Sequence, residues 1–246
     1  MPRFVVLIFV SFVLIGCGVT PTNVYTGVWN GIGKATLPDN SIYEGEFKNG
    51  LFHGKGVMVW KDGDKYTGQF SDGTFNGYGE FFFRTGGTYK GHYKDGLPHG
   101  EGVAKSIEGN SYKGQFVDGD WEGYGTFIEA HFGQYEGKFL KGRYHGTGKY
   151  TFLNGDSYEG DFKNGYWNGQ GTLTLSDGER YEGEFLDGQR HGIGIATFPN
   201  GDSYRGEFEH DFIHGKGICT SNNILARCAY ENGEPIYYEE LKQNEA

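Results

Sequence analysis

The sequence predicts an all-β chain built from tandem 23-residue β-hairpins, and three observations lead there. Tyrosine recurs at Tyr43, Tyr66, Tyr89, Tyr112, Tyr135, Tyr158, Tyr181 and Tyr204, every interval being 23 residues. A glycine follows each of these tyrosines by two residues, and an aromatic residue follows by four. Glycine (45 of 246 residues) and aromatics (17%) are enriched together, whereas disordered glycine-rich segments are poor in aromatics. A repeat of fixed period settles the architecture before any local assignment is made.

The elements follow in order within each unit. Tyr43, Gly45 and Phe47 alternate with polar residues, and this period of two puts them on one face of a strand. Lys48-Asn49-Gly50 comes next, as Lys163-Asn164-Gly165 does later; Asn-Gly supplies the positive φ of a tight reversal. A second strand runs through stretches such as Val57–Trp60, Phe81–Phe83 and Thr172–Leu175. It closes at Asp62-Gly63, Asn154-Gly155, Asp177-Gly178 or Asn200-Gly201, ahead of the next tyrosine. The glycine between two aromatics is expected to make room for a ring from an adjoining unit to lie over the backbone. A single hairpin is marginal in water, so neighbouring units must stack to bury the aromatic stripe.

The pattern Tyr-x-Gly-x-Phe-x-x-Gly-x-x-x-Gly-x-Gly, read in Tyr43–Gly56 and again in Tyr158–Gly171, resembles the MORN repeat. Eight full units span Tyr43 to Ala226. A ninth, shortened unit is expected at Tyr25-Thr26-Gly27-Val28-Trp29, resuming at Asn30-Gly31-Ile32-Gly33. Departures are few: Asp211 replaces a turn glycine, and Phe132 replaces a late-turn glycine, with Gly133 one place on. The resemblance implies an elongated, twisted, single-layer antiparallel sheet with a groove along one face. At about 4.8 Å per strand, nine units imply a rod roughly 85–90 Å long.

The N-terminus differs in kind. Arg3 precedes an apolar or small stretch from Phe4 to Gly16, too short to span a bilayer comfortably but fitted to a signal peptide. Leu14-Ile15-Gly16-Cys17 resembles the lipobox of bacterial lipoproteins, in which the cysteine is diacylated and becomes the mature N-terminus. Two acyl chains suffice for stable anchoring. Gly18 at the next position, in place of aspartate, favours the outer membrane. The alternative is an ordinary signal peptide or short anchor with Cys17 incidental. The expected organisation is a signal peptide (1–16), a linker (17–24), the array (25–226), and a C-terminal cap with an acidic tail (227–246).

The formal charge of −10 argues against nucleic acid and against an anionic lipid surface as partners. His53, His99, His145, His191 and His214 share one repeat position. The first four are 46 residues apart, roughly 20 Å in the sheet, too far for the convergent ligands a zinc ion needs. They read as turn residues, and no metal or cofactor is expected. Glu44 with Glu46, Glu159 with Asp161 and Glu182 with Glu184 share strand faces as acid–base pairs do, yet Thr67 with Gln69 or Lys113 with Gln115 hold the same places. A solvated polar face accounts for them. Cys219 and Cys228 are candidates for a disulfide stapling the cap, against two buried free thiols. Phe52, Phe75, Trp121, Tyr144 and Trp167 each stand nine residues after their repeat tyrosine. Rings near a turn are candidate partner anchors at the groove edge, with a plain covering role as the alternative.

The functional expectation is a non-catalytic, membrane-anchored lipoprotein that holds an unidentified protein partner, or a second copy of itself, in the cell envelope. An immunity-like or antitoxin-like protein binding one cognate partner is the rival. An enzyme is less favoured, since only Tyr230 to Ala246 lies beyond the array and its cap. Direct phospholipid binding is weakened by the negative charge.

Overall fold

In a computed structural model the chain is described from residue 29 to residue 241, so the lipobox-like segment and Cys17 lie outside the described residues. Among the described residues there are 19 strands and no helix, and the fold is an open antiparallel sheet of tandem hairpins. No helix there is long and apolar enough to cross a membrane. The chain forms two compact units, one of residues 29–130 with 139–142, the other of residues 131–138 with 143–241. In the first, strands from Gly31–Thr36 to Asp120–Glu129 each pair with the next in sequence. The second meanders likewise from Arg143–Phe152 to Glu234–Glu240.

The unit beginning at Tyr43 shows why the sequence folds this way. Ile42–Lys48 carries Tyr43, Gly45 and Phe47 on its buried face, while Glu44, Glu46 and Lys48 are exposed. Asn49 (φ 54°) and Gly50 (φ 79°) both take positive φ, as a two-residue hairpin turn twisted like its strands requires. Leu51–Val59 returns with Phe52 opposite Phe47 and His53 opposite Glu46, then slips so that Gly56 faces Gly45 and Met58 faces Tyr43. The slip is a β-bulge at Gly54-Lys55, and Gly54 has φ 57°. A loop closes the unit: the Trp60 N–H donates to the Asp64 carbonyl, and the Gly63 N–H donates to Trp60.

Successive hairpins are joined by hydrogen bonds one repeat long. The Gly73 N–H donates to the Phe52 carbonyl (2.9 Å), and Gly165 does the same to Tyr144 (2.9 Å). Asp64, Asp156 and Asp202 accept the backbone N–H of Arg84, Ser176 and Asn222, each 20 residues ahead. The hairpin-turn glycines Gly50, Gly73, Gly96, Gly119, Gly142, Gly165 and Gly188 each make such a bond to the hairpin before, which is how a repeat array resists fraying between neighbours.

Two expectations need correction. The space over the glycines is filled by the repeat's own tyrosine, not by a ring from an adjoining unit: a Cβ on Gly45 or Gly56 would lie within 2.6 Å of the Tyr43 ring or hydroxyl. Trp29 is not the second aromatic of a Tyr-x-Gly-x-Phe strand. It stands 23 residues before Phe52, accepts from the Gly50 N–H as Phe52 does from Gly73, and lies over Gly33. The described part of the first unit is a half repeat whose ring covers what a tyrosine covers elsewhere. In the stretch expected as a cap and acidic tail, the described residues form a hairpin, Ile224–Glu231 with Glu234–Glu240, because Asn232 (φ 51°) and Gly233 (φ 86°) form another reversal.

Candidate binding surface

The repeat residues build a closed aromatic cell. Tyr158 lies on the glycine pair Gly160 and Gly171, which face each other across the strands. Trp167 stacks on it from above (4.4 Å between centroids, 8° between planes). Phe162 from the same repeat and Phe185 from the next stand edge-on at 5.1 and 4.9 Å. The hydroxyl donates to the Asp161 carbonyl (2.9 Å), which the bulge turns inward. All eight repeat tyrosines donate to the residue three places on. Stacked and edge-on pairs are favourable beyond the area they bury. Burial raises Tyr43, Tyr66, Tyr89, Tyr112, Tyr158, Tyr181 and Tyr204 above the ordinary phenol pKa, to about 12 for Tyr43 and Tyr204.

This cell accounts for the five aromatic residues singled out as anchors. Phe52 stacks on Tyr43, Phe75 on Tyr66, Trp121 on Tyr112, Tyr144 on Tyr135 and Trp167 on Tyr158, at 3.9 to 4.4 Å. Phe52 is buried and the other four are half-buried. Their place is as lids on the tyrosines, which is the covering role the sequence left open beside partner anchoring. Where the lid is not aromatic, something else covers the ring. Pro98 is buried at this position, opposite Tyr93, and the Arg190 guanidinium sits 5.7 Å from the Tyr181 centroid. Arg190 also explains Asp211: its N–H donates to Asp211 Oδ1 (3.0 Å), its Nη2 to the Asp211 carbonyl (2.7 Å), and its Nη1 to Glu179 (2.8 Å).

The carboxylate pairs divide their labour in one way. Glu44, Glu159 and Glu182 face Lys34, Lys149 and Arg180 at 3.8, 3.4 and 2.7 Å on the solvated face. Glu46, Asp161 and Glu184 instead accept the bulge N–H of Lys55, Gln170 and Ile193. The sequence does carry a signal for this, since Gln69 takes the same role toward Tyr78. Two of the histidines, His99 and His214, meet the next hairpin turn. His99 Nδ1 lies 3.5 Å from Asp118, and His214 Nδ1 accepts the Asn232 N–H at 3.5 Å. Glu122 and Asn30 hold the equivalent contacts to Lys141 and Asn49. Among the described residues no three His, Cys, Asp or Glu side chains gather as a metal site.

Cys219 and Cys228 are joined in a disulfide, both buried, with Cα atoms 6.0 Å apart. The register shows what the bond replaces. Ala226 faces Cys219 as Tyr204 faces Ala196, Cys228 faces Gly217 as Gly206 faces Gly194, and Tyr230 faces Gly215 as Phe208 faces Gly192. With alanine where the next tyrosine would stand, the disulfide supplies buried atoms of a ninth cell. Tyr230 closes it, edge-on to Tyr204 at 5.6 Å. What remains open is the outer face, with Ile193 (56% exposed) and Tyr124 (60%), and the C-terminal strand, with Ile236 (64%).

A sheet whose recurring residues are consumed in packing, and whose variable residues face solvent, defines a β-hairpin repeat scaffold. The model of the MORN repeat matches eight tandem times, at residues 43–65, 66–88, 89–111, 112–128, 135–157, 158–180, 181–203 and 204–223. The chain therefore belongs to the MORN-repeat family. The match breaks between 128 and 135, where Phe132 displaces the turn glycine and its carbonyl accepts from Leu153. No curated protein matches the chain in sequence. Among solved structures, a mutant TCP10 domain of Danio rerio CPAP is 10% identical, covering 85% of this chain and 99% of its own, with a TM-score of 0.44. The TCP domain of Drosophila melanogaster SAS-4, solved with a proline-rich motif of Ana2, is 11% identical over 72% of this chain and 85% of its own (TM-score 0.31). Virginiamycin B lyase from Staphylococcus aureus is 10% identical over 85% and 87% (TM-score 0.17).

Proposed function

We propose that this repeat scaffold is a non-catalytic lipoprotein, anchored in the membrane through acylated Cys17, that holds a protein partner in the cell envelope. The observation that carries the reading is the division of the sheet. Tyrosines, glycines, phenylalanines and lids are used on one face to make the array. The other face presents side chains that change from repeat to repeat, such as Val57, Thr67, Glu80 and Lys90. A surface that varies along a rigid register gives each position its own recognition chemistry. The anchor rests on Phe4 to Gly16 followed by Cys17. Gly18 favours the outer membrane.

In-cell crosslinking of the full chain, beside a Cys17→Ala variant, tests this. One dominant envelope partner, lost or reduced when Cys17 is replaced, is the expected result. Self-crosslinks alone would point to a structural assembly of copies. A cytoplasmic protein retaining residues 1–16 would end the lipoprotein reading.

A further inference from the structure

We propose that the strand Glu234–Glu240 is a docking edge for an extended, basic segment of a partner protein, which adds to the sheet as a further strand. The inference rests on the protein-binding reading above and assigns it a place and a chemistry.

Among the described residues this strand pairs only with Ile224–Glu231. All seven of its residues are exposed, a pattern found in no other strand of the sheet. Ile236, Tyr237 and Tyr238 are 64%, 49% and 52% exposed, with Tyr238 opposite Cys228 on the cell face and Tyr237 opposite Ala229 on the outer face. Unpaired edges are ordinarily blunted by lysine, proline, bulges or brevity. Here Pro235 and the bulge at Ala229/Tyr230 blunt only the start, and no lysine lies on the strand.

The edge is also held in place. The Cys219–Cys228 disulfide and Tyr230 packed on Tyr204 fix the hairpin to the last full repeat. A preformed edge binds without first being ordered, and strand addition to such an edge draws affinity from main-chain hydrogen bonds and selectivity from side-chain pairs.

Charge selects the occupant. Glu231, Glu234, Glu239 and Glu240 surround the three apolar residues, and the ion pair to the strand is the 3.9 Å contact of Arg227 with Glu239. A second copy pairing antiparallel about Tyr237 would set Glu234 against Glu240; a slip of one residue sets Glu234 against Glu239. Like charges directly opposed destabilise a sheet pair. A segment alternating lysine or arginine with apolar residues meets both the carboxylates and the rings.

The test uses the full chain and two synthetic peptides, one alternating lysine with valine and one alternating glutamate with valine. Fluorescence anisotropy reads binding, and amide hydrogen exchange reads its location. The lysine peptide is expected to bind with slowed exchange confined to 234–240, more weakly as salt is raised. The variant Glu239→Lys/Glu240→Lys, its fold checked by circular dichroism, should lose roughly tenfold in affinity, as befits loss of close charge pairs. Equal binding of the glutamate peptide, protection elsewhere only, or no binding overturns the proposal. So does a dimer in sedimentation whose 234–240 amides are already protected. If the peptide fails while cellular crosslinks run through the outer face, the edge is wrong and the scaffold stands. If the peptide binds and no cellular partner is captured, it is the scaffold reading that fails.

Discussion

The aromatic cell makes a sharp prediction about Gly171. A methyl group added there would lie 2.5 to 2.6 Å from the hydroxyl and ring carbons of Tyr158, and the three nearest atoms all belong to that side chain. Gly171→Ala should therefore cost about 1–3 kcal/mol, the usual range for overpacking. Tyr158→Ala removes a fully buried ring with three aromatic neighbours and should cost about 3–5 kcal/mol. In the double variant the new methyl enters space the ring has vacated, so the costs should fall short of additivity by about 1–3 kcal/mol. Gly160→Ala is the control. Its added methyl meets the Gln170 carbonyl and Gly171 Cα at 2.5 Å, both backbone, besides the Tyr158 hydroxyl at 2.7 Å, so removing Tyr158 should relieve it only in part. An array does not unfold as a single two-state unit, so the costs are read locally. Hydrogen exchange in Ser157–Lys163 and Tyr166–Thr174 gives the opening free energies. Strict additivity of Gly171→Ala with Tyr158→Ala would refute the claim that this glycine exists to seat that ring.

Four further outcomes follow from the same geometry. Tyr93 is buried in a phenylalanine position and its hydroxyl has no hydrogen-bond acceptor among the described residues, so Tyr93→Phe should stabilise Thr88–Lys94 by about 1 kcal/mol, read as slower hydrogen exchange there; a loss would show the hydroxyl is bonded in solution. Arg190→Ala and Asp211→Gly should couple by about 1–3 kcal/mol in a double-mutant cycle, since Asp211 answers Arg190 through side chain and backbone; zero coupling would make Asp211 an accident of its turn. Reducing the Cys219–Cys228 bond, which closes a short loop, should cost about 2–3 kcal/mol, seen as faster exchange in Ile224–Glu231 under denaturing reductant but not without it; mass mapping that finds two free thiols would end this reading. Stability should fall as pH rises from about 10 to 12. The folded chain keeps the Tyr43 and Tyr204 protons to about 12 while the unfolded phenols release theirs near 10, so this stability is whole below pH 10 and lost above. Melting temperatures unchanged across that window would contradict the buried assignment of these rings.

Much of this was legible because the repeat writes the same instruction eight times. Tyr43, Gly45 and Phe47 mark a strand face, and Asn49-Gly50 a reversal, by backbone rules that need no tertiary information. The lids were harder to see. Phe, Pro, Trp, Tyr, Arg and Ile occupy one position, so composition there carries no single signal. What they share is an ability to cover a flat ring, which is meaningful only once the ring is known to lie flat on glycine. The bulge caps were missed for a related reason: Glu44 and Glu46 look alike in a two-residue period. Only the slip in register at Gly45/Glu46 aims the second carboxylate at the Lys55 N–H. Trp29 misled because Tyr25-x-Gly27-x-Trp29 mimics the first-strand motif, whereas the spacing to Phe52 obeys the 23-residue period.

The way each cell closes bears on how such a protein can evolve a partner. Tyr158 takes its glycines, lid and one phenylalanine from its own repeat and only Phe185 from the next. Stability is therefore assembled from nearly independent cells, and a substitution on the outer face touches none of these rings. Ile193 illustrates the freedom: its backbone N–H caps the bulge through Glu184, while its side chain is 56% exposed. Any side chain could project there without disturbing the Tyr181 cell, because the backbone alone makes the structural contact. The ends lack this freedom. At the C-terminus one cell must close without a tyrosine, and the chain closes it with a disulfide. The cost of that solution is an exposed strand, Glu234–Glu240, that no further repeat among the described residues covers. The same covalent closure thus leaves an ordered edge among the described residues, the one proposed above to take a basic strand.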